Sequence, residues 1–340
     1  MLSPKHLREA YRQRLKRRRL LWRAFRSRHG LTLRSNRTGS IRTTDILLFI
    51  CLRNEAARLP YFLDHYRRLG VAHFLVIDNA STDASAALLA AEPDVSLWQT
   101  ARSYKASRFG MDWINHLLAR YGSGHWCLTV DADELLVYPH CETAPLPALT
   151  GWLDRQGIPA MAATMLDLYP KGPLSQVRHS PGQNPTEVLP WFDAFGYERT
   201  PQPRYLATSI RGGPRKRVFF ADHPEHAPHL HKTPLLRWHW RYAYLSSTHL
   251  ALPRSLNQGF TTPIAPTGVL LHTKFLDGII DRSREEKLRG EHFTHSERYQ
   301  DYYDAIIADP DLWHADAQRY ETPEQLEEAG LMQSGLWSGE

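Results

Sequence analysis

The chain alternates between short, continuous apolar runs and segments whose apolar residues recur at helical spacing. Residues 45–52 form the first apolar run, and such continuity is typical of a parallel strand buried on both faces. Residues 56–69 then carry one apolar stripe, which predicts a helix that ends at Gly70. The pattern repeats, and it predicts strands at residues 73–77, 95–99 and 126–130 and helices at residues 84–91 and 108–121.

This order of elements predicts an α/β fold with a doubly wound, mostly parallel sheet and right-handed crossovers. Between Pro139 and Pro234 periodicity is weak and Pro and Gly are frequent, so we expect a loop-rich second half. A strand at residues 268–276 and a helix at residues 281–288 are predicted to follow. The expected organisation is a leader (1–42), a domain of two halves (43–140 and 141–290) and a peripheral, acidic tail (291–340).

Polar residues follow successive predicted strands at the point where each strand ends. Residues 54–55 follow the first strand, Asp78 follows the second, and Asp131 and Asp133 follow the last strand of the first half. Because the carboxyl ends of parallel strands meet at one crevice, these side chains are expected to face the same ligand. Carboxylate oxygens suit Mg²⁺ or Mn²⁺, which bridge phosphate oxygens, although a lone Asp-x-Asp triplet is also compatible with a solvated turn. No Gly-x-Gly-x-x-Gly or Walker-type loop is present, which argues against a dehydrogenase or a P-loop nucleotidase.

The basic charge of the chain is concentrated in its leader. Residues 1–42 contain 14 Lys and Arg against the single acid Glu9, whereas the whole chain carries a net charge of +6. Apolar residues recur there at roughly helical spacing: Leu7, Tyr11, Leu15, Trp22 and Phe25. A basic amphipathic helix of this kind can lie on an anionic membrane surface, but a disordered arm, an RNA-binding arm or a helix packed on the body remain open. The body shows no nucleic-acid module, so nucleic acid is not the expected partner.

The expected location follows from apolar runs and cysteines. No apolar run reaches 18 residues, and no apolar signal core follows the first charges, so we expect neither a transmembrane helix nor a cleaved signal peptide. Three cysteines, Cys51, Cys127 and Cys141, suggest reduced thiols. We therefore expect a cytoplasmic protein, peripheral on the inner membrane face if the leader contacts lipid.

Seven short motifs in order, across about residues 45–290, resemble those of one enzyme family. They are residues 51–55 (Cys-Leu-Arg-Asn-Glu), 69–71 (Leu-Gly-Val), 77–83 (Ile-Asp-Asn-Ala-Ser-Thr-Asp), 110–115 (Gly-Met-Asp-Trp-Ile-Asn), 130–134 (Val-Asp-Ala-Asp-Glu), 212–215 (Gly-Gly-Pro-Arg) and 271–275 (Leu-His-Thr-Lys-Phe). Together they resemble the GT-A glycosyltransferases, and more narrowly the bacterial family-2-type branch that opens with Arg-Asn-Glu.

The resemblance implies a GT-A-like fold with a nucleotide-binding half (43–140) and an acceptor half (141–290). It also implies a metal-dependent, inverting transfer of a sugar from a nucleotide-sugar donor, with Mn²⁺ or Mg²⁺ as cofactor. A UDP-sugar is the first candidate for this donor. The implied acceptor is a glycan or a lipid-linked precursor in bacterial surface polysaccharide synthesis.

The family pattern assigns roles to positions of this sequence. The implied metal ligands are Asp131, Asp133 and His272. The implied donor-binding residues are Arg53, Asn54, Glu55, Asp78, Arg108, Asp131, Arg215 and Lys274. Glu134 points away from Asp133 on a strand and is expected to be a structural partner. A turn-forming role for Asp78, a buried structural role for His272 and a solvated loop around Arg215 remain open.

The catalytic base is less clearly marked. The Glu-Asp dipeptide that the family carries after Asp133 is missing here. We expect Asp193 as the first choice, beside aromatic residues that can stack on a sugar, Asp167 as the second and Glu187 as a distant third. Each of these acids can instead simply fix a loop. His223, His226, His229 and His231 suggest zinc, but their irregular spacing favours a surface or acceptor loop.

Two alternatives to a glycosyltransferase remain. A nucleotidyltransferase also presents carboxylates to a metal and a nucleotide, but it would be expected to show a Gly-rich, basic loop near the first strand. A glycan-binding or scaffold protein on the same frame would have lost turnover. Metal-dependent hydrolysis of a nucleotide-sugar separates an active transferase from a binding protein.

Overall fold

The computed structural model describes residues 4–289 and 296–340. Its strands are β1 (Thr32–Ser35), β2 (Ile46–Leu52), β3 (Val71–Asp78), β4 (Val95–Gln99), β5 (Trp126–Thr129), β6 (Glu134–Val137), β7 (Ala160–Asp167), β8 (Trp191–Phe192), β9 (Glu198–Gln202), β10 (Ala207–Arg211), β11 (His231–Arg237), β12 (Ala243–Ser246), β13 (Leu250–Leu252), β14 (Gly268–His272) and β15 (Gln318–Arg319). Its helices are α1 (Pro4–Ser27), α2 (Leu59–Arg68), α3 (Ser85–Ala91), α4 (Met111–Leu117), α5 (Leu146–Gln156), α6 (Pro185–Val188), α7 (Ile279–Arg289), α8 (Ser296–Ile307) and α9 (Glu324–Glu328).

A nine-stranded sheet in the order β1-β4-β3-β2-β5-β11-β7-β14-β6 forms the centre of the protein. Six of these strands, β2, β3, β4, β5, β7 and β14, run in one direction, and β1, β6 and β11 run in the other. Helices cover the sheet on both faces. The prediction of a mostly parallel α/β sheet is therefore confirmed.

Strand β2 shows why the sheet is buried on both faces. Its side chains alternate, so Leu48 and Ile50 join the apolar cluster that contains α2 and α5. Leu47 and Phe49 join a second cluster on the opposite face, which contains α4. A continuous apolar strand is the expected outcome when both faces are covered.

Most predicted elements of the first half lie within a few residues of their observed bounds, and 95–99 matches β4. The helix predicted at 108–121 is shorter, because α4 gives way to a π-helical turn at Leu118–Gly122. The strand predicted at 268–276 ends at His272. The helix predicted at 281–288 is part of α7.

The second half contributes more regular structure than its Pro and Gly content predicted. Strands β7, β11 and β14 lie in the main sheet, with β11 antiparallel between β5 and β7. The pairing of β11 with β7 is irregular between Lys232 and Leu235, where Pro234 has no N–H to donate. The sheet thus crosses the boundary expected near residue 140.

The tail, expected to be peripheral, is packed into the core. Trp337 is buried, its indole N–H donates to the Pro139 carbonyl at 3.1 Å, and its ring contacts Trp152 edge-to-face at 6.0 Å between centroids. Leu331 and Met332 are buried in the second-half cluster. The segment is acidic overall, but burial of its apolar side chains fixes it to the body of the protein. The first tail residues, 291–295, lie outside the described residues.

Within the described residues, no helix is both long enough and apolar enough to cross a bilayer.

Candidate active site

Several charged side chains meet at one edge of the main sheet. The strands that run in the common direction end at this edge, and they deliver Asp78, Asp131, Asp167 and His272 to it. Strands β6 and β11 run the other way, so they begin at the same edge with Glu134 and with residues 231–232. The direction of each strand explains how residues as far apart in sequence as Asp78 and His272 come together.

A cleft of about 890 Å³ opens at this edge. Its charged lining residues are Arg53, Glu55, Arg58, Asp131, Asp133, Glu134, Arg211, Arg215, Glu225, Lys232, Lys274, Arg282, Glu285 and Glu286. The predicted residues Asn54 and His272 also line it, whereas Asp78, Arg108, Asp167, Glu187 and Asp193 do not.

A chain of polar contacts runs from the wall of the cleft into the core. Asp133 Oδ2 lies 3.1 Å from His272 Nε2, and the opposite ring nitrogen, Nδ1, donates to Asp167 Oδ1 at 2.6 Å. Arg215 Nε then donates to the other oxygen of Asp167 at 2.7 Å. Asp167 is fully buried, so it holds His272 and Arg215 in place and does not face the cleft.

These contacts set the charge of each group. Burial alone would raise the pKa of Asp133, but the positive charges of His272, Arg58 and Lys274 outweigh it and hold that pKa well below its usual range. Burial is likewise outweighed at Asp167 by Arg215 and His272, which bring its pKa to about 2. Both carboxyls are therefore ionised at neutral pH. The two carboxylates in turn raise the pKa of His272 against the opposing effect of burial.

Asp133 and His272 pass a simple test of fit for a divalent cation. Two neighbouring ligands on an octahedral ion, with bonds of about 2.1 Å, lie about 3 Å apart. The separation of Asp133 Oδ2 and His272 Nε2 is 3.1 Å. A carboxylate behind the other nitrogen of a histidine is also the usual support for a metal-binding imidazole.

Asp131, the third expected ligand, is not assembled with this pair. Its carboxylate is half exposed and accepts from Lys232 Nζ at 2.9 Å. In the part of the chain that the structure describes, three ligating atoms lie within 4.8 Å of one another only at His223, Glu225 and His226, near the surface.

Lys232 is the main site residue that sequence reasoning missed. It is 2% exposed, and its ammonium group contacts both Asp131 and Glu134. Glu134 Oε2 also accepts the backbone N–H of Asp131 at 3.1 Å. Glu134 is fully buried, in agreement with its expected structural role. A Lys close to the short apolar run 234–236 was the available signal, but its partners lie about a hundred residues away.

The loop after β2 forms one wall of the cleft. Asn54 adopts a positive φ of 54°, and its side-chain oxygen accepts the backbone N–H of Thr82 at 2.7 Å. Glu55 is paired with buried Arg58 at 2.7 Å, and Arg58 also donates to the Thr273 carbonyl. Through these contacts Asn54 and Glu55 shape the wall of the cleft. The part played by Arg58 was not predicted from the sequence.

Asp78 and Arg108 make contacts within the protein, and neither lines the cleft. Asp78 is fully buried and accepts from the Ser81 backbone and from Gln99. Arg108 is bound to Asp112 at 2.7 Å and to the Leu245 carbonyl at 2.9 Å. Both therefore stand behind the cleft.

The basic run after Gly213 is neutralised by three different acids. Arg215 pairs with Asp167, Lys216 with Glu198 and Arg217 with Asp193 at 3.0 Å. Only Arg215 lines the cleft.

Asp193, the first choice for the base, has several other partners. Besides Arg217 it accepts from the Tyr169 hydroxyl and lies 3.1 Å from His314 Nε2. Its carboxylate is buried among these groups. The expectation of a catalytic base is not supported for Asp193 or Asp167, because neither reaches the cleft.

Lys274 is a cation available to a ligand. Its side chain lines the cleft, and its ammonium nitrogen lies 5.5 Å from the centre of the Tyr302 ring. Among the described residues it has no ion-pair partner within 4.0 Å. Burial, and then the charge of Arg215, lower the pKa of Lys274 to about 8.

A second cavity of about 420 Å³ adjoins the cleft, and the two share His229, Ser246 and His249. His249 Nδ1 lies 2.7 Å from the His231 carbonyl oxygen. Since a carbonyl can only accept, Nδ1 carries the proton and Nε2 keeps a free lone pair. Burial, and then Lys232, lower the pKa of His249 to about 3, so its ring is neutral at pH 7. Sequence reasoning missed this residue because no motif contains it.

Fold and site together define an α/β protein with a deep, charged cleft at the carboxyl edge of a mostly parallel sheet. No protein-family model matches the chain, and no curated protein matches it. Among solved structures, the chain is similar to 4-diphosphocytidyl-2C-methyl-D-erythritol synthase at 18% identity and a TM-score of 0.24, over 42% of this chain and 67% of that one. It is also similar to a UTP-bound UGPase from Acinetobacter baumannii at 9% identity and a TM-score of 0.32, over 76% of this chain and 98% of that one.

Proposed function

We propose that the protein is a metal-dependent glycosyltransferase in bacterial surface polysaccharide synthesis. It moves a sugar from a nucleotide-sugar to a glycan or lipid-linked acceptor, and a UDP-sugar is the first candidate for the donor. The observation that carries the proposal is the placement of Asp133 and His272, 3.1 Å apart, in a cleft of about 890 Å³. The ordered family motifs support the choice of glycosyl transfer, because they supply both of these residues.

Asp133 and His272 would hold Mn²⁺ or Mg²⁺, with Asp167 fixing the imidazole from behind. The cation, when bound, neutralises the charge that develops on the departing diphosphate. Lys274 and Arg215 line the same cleft and would bind the diphosphate oxygens. Arg53 lines the wall near Asn54 and Glu55, where the nucleoside would lie.

Inverting transfer requires a base that removes the proton of the acceptor hydroxyl as it attacks the anomeric carbon. His249 is the best candidate that the cleft offers. Its Nε2 lone pair is free, its tautomer is fixed by the His231 carbonyl, and it lies where the two cavities adjoin. Its low pKa keeps it unprotonated, with a basicity comparable to that of a carboxylate.

The proposal is tested by thermal unfolding with nucleoside diphosphates and nucleotide-sugars, each with and without Mn²⁺ or Mg²⁺. A ligand that binds only the folded chain stabilises it by about 2.7 kcal/mol at a hundredfold excess over Kd. We expect a metal-dependent shift that is lost in Asp133→Asn and retained in the exposed control Asp64→Asn. Unchanged shifts in Asp133→Asn would refute the metal role of Asp133.

The competing assignment, a nucleotidyltransferase, is distinguished from a glycosyltransferase by the products that the protein releases. A glycosyltransferase releases a nucleoside diphosphate from a nucleotide-sugar. A nucleotidyltransferase joins a nucleoside triphosphate to a sugar phosphate and releases pyrophosphate. Pyrophosphate release with no nucleoside diphosphate would favour the second assignment, and binding with neither product would favour the inactive scaffold.

A further inference from the structure

Helix α1 has an apolar side that the body of the protein does not cover. Its inner side packs on α4 and β12, where Leu20 and Ala24 are buried. Leu20 belongs to a small apolar cluster with Ala243 and Leu252. The apolar stripe that the sequence shows lies elsewhere on the helix. We call it the outer stripe, and its residues are Leu7 (56% exposed), Tyr11 (62%), Leu15 (46%), Trp22 (59%) and Phe25 (51%).

Helix geometry places the outer stripe opposite the packed side. At about 100° per residue, its five positions fall within an arc of about 80°. The buried residues Gln13, Leu20 and Ala24 fall within an arc of about 40°, centred roughly 200° away. The stripe from Leu7 to Phe25 is about 27 Å long. A long apolar band, interrupted near its middle by the exposed Arg18, therefore faces away from the body.

The helix is held firmly in this orientation. Arg23 donates to the buried carboxylate of Asp112 at 2.8 and 3.0 Å. Near the other end, Glu9 accepts from Arg204 at 3.1 Å. Contacts at both ends fix the rotation of α1, so the exposure of the outer stripe follows from the fold.

Unpaired arginines surround the outer stripe. The helix contains ten Lys and Arg and a single acid, Glu9, whose carboxylate is paired with Arg204. Among the described residues, several of these arginines form no ion pair: Arg8, Arg12, Arg14, Arg17, Arg18, Arg19 and Arg26. By their helical angles Arg14 lies on one flank of the stripe, and Arg8, Arg19 and Arg26 lie on the other.

We propose that the outer side of α1 is a docking surface for a lipid bilayer that contains anionic headgroups. Aromatic and aliphatic side chains enter the boundary between headgroups and acyl chains, while the flanking arginines contact phosphates. Because α1 is fixed to the body, docking also fixes the orientation of the whole protein on the membrane. This inference does not rest on the proposed enzymatic function.

The apolar stripe distinguishes a bilayer from a nucleic acid. Arginines alone would suit an RNA or DNA backbone, which gives no apolar layer for Leu7, Leu15 and Phe25. A second copy of the chain would bring two strongly basic helices together, which like charges oppose. A bilayer with anionic lipid satisfies both the apolar and the basic part of the surface.

The test is flotation of the full chain with vesicles of phosphatidylcholine alone or with about one third phosphatidylglycerol, at low and at high salt. We expect binding to the anionic vesicles that weakens with salt. Trp22→Ser with Phe25→Ser should weaken partitioning at least tenfold, given the apolar area lost. Arg18→Gln with Arg19→Gln should weaken it about fivefold for each charge.

Matched controls keep the test specific. Phe195→Ser with Leu336→Ser removes two side chains that are exposed outside α1, and Arg120→Gln with Arg178→Gln removes two exposed charges there. Both controls should bind like the natural chain, and all variants should unfold at similar temperatures. The proposal is overturned by equal binding to neutral vesicles, by no binding to anionic ones, or by binding that survives the stripe variant. Binding of polyuridylate in place of vesicles would overturn it in favour of a nucleic-acid arm, and concentration-dependent dimerisation through α1 in favour of self-association.

Discussion

Asp167 and His272 are direct neighbours in register on the parallel strands β7 and β14, and the imidazole Nδ1 donates to the carboxylate at 2.6 Å. Strand pairing within the sheet therefore positions both residues, and neither depends on a loop for its place. Since the ring is fixed at one nitrogen, the other nitrogen is aimed at Asp133. Two strand residues and one residue of the turn between β5 and β6 thus act as one unit.

Asp167→Asn should weaken the binding of Mn²⁺ about 10- to 100-fold, because His272 loses the carboxylate that orients it and raises its basicity. Titration of the purified chain with Mn²⁺, followed by electron paramagnetic resonance, measures the change. Asp193→Asn is the matched control, since Asp193 is also a buried acid paired with an arginine but lies outside the cleft. Equal affinities in the two variants would contradict a positioning role for Asp167.

Lys232→Met should destabilise the fold by about 3–5 kcal/mol, because it leaves buried Glu134 and half-exposed Asp131 without their cation. Urea unfolding measures the free energy. Adding Glu134→Gln to this variant should recover part of the loss, since the uncompensated charge is then removed. If the double variant is no more stable than Lys232→Met alone, the loss has another cause.

His249→Asn should lower kcat by about 10²–10⁴-fold while leaving nucleotide-sugar binding unchanged. Asn can replace the Nδ1–H donor toward the His231 carbonyl but has no equivalent of the Nε2 lone pair. Turnover with a productive acceptor and thermal shifts with the donor report the two effects separately. A variant with normal kcat would exclude His249 as the base.

His65 makes the stability depend on pH in a defined window. Burial is the largest cause that lowers its pKa, and the folded value is about 4, below the ordinary value of 6.5. Between pH 4 and 6.5 the unfolded chain therefore binds more protons, so the free energy of unfolding should fall as pH decreases through that range.

The matched variant for this prediction is His65→Gln, which can keep the hydrogen bond to the Leu136 carbonyl at 3.0 Å but does not titrate. Urea unfolding at several pH values should show a smaller decrease for the variant, by up to about 1.4 kcal/mol for each pH unit in the window. Parallel curves for the two proteins would show that His65 does not contribute.

The sequence predicted the parallel first half because strands buried on both faces leave a local signal. Strand β2 is a continuous apolar run and β3 contains the apolar run 74–77. Helical stripes follow both strands, and nothing distant is needed to recognise them. Strand β7 contains three alanines among eight residues and β11 contains Pro234, so neither has a strong local preference for a strand. Their place is decided by pairing with β5 and β14.

The same distinction explains the site. Asp131 and Asp133 could be located because they follow a buried strand, and His272 because it lies in a motif that resembles those of a known enzyme family. The contact of Lys232 with Asp131 and Glu134 depends on the direction of β11, which no local pattern shows. Asp193 was overvalued because its aromatic neighbours resemble a sugar-binding surface, whereas the fold surrounds it with Arg217, Tyr169 and His314.

The insertion of β11 between β5 and β7 also constrains how the chain can be divided. A fragment that stops near residue 140 would expose one whole edge of β5, which is then available for pairing with another chain. It would also carry the acids Asp131 and Glu134 without Lys232. During synthesis the ribosome has to pass residue 237 before this strand can be placed. The first half (43–140) is thus a unit of sequence but not a unit of folding.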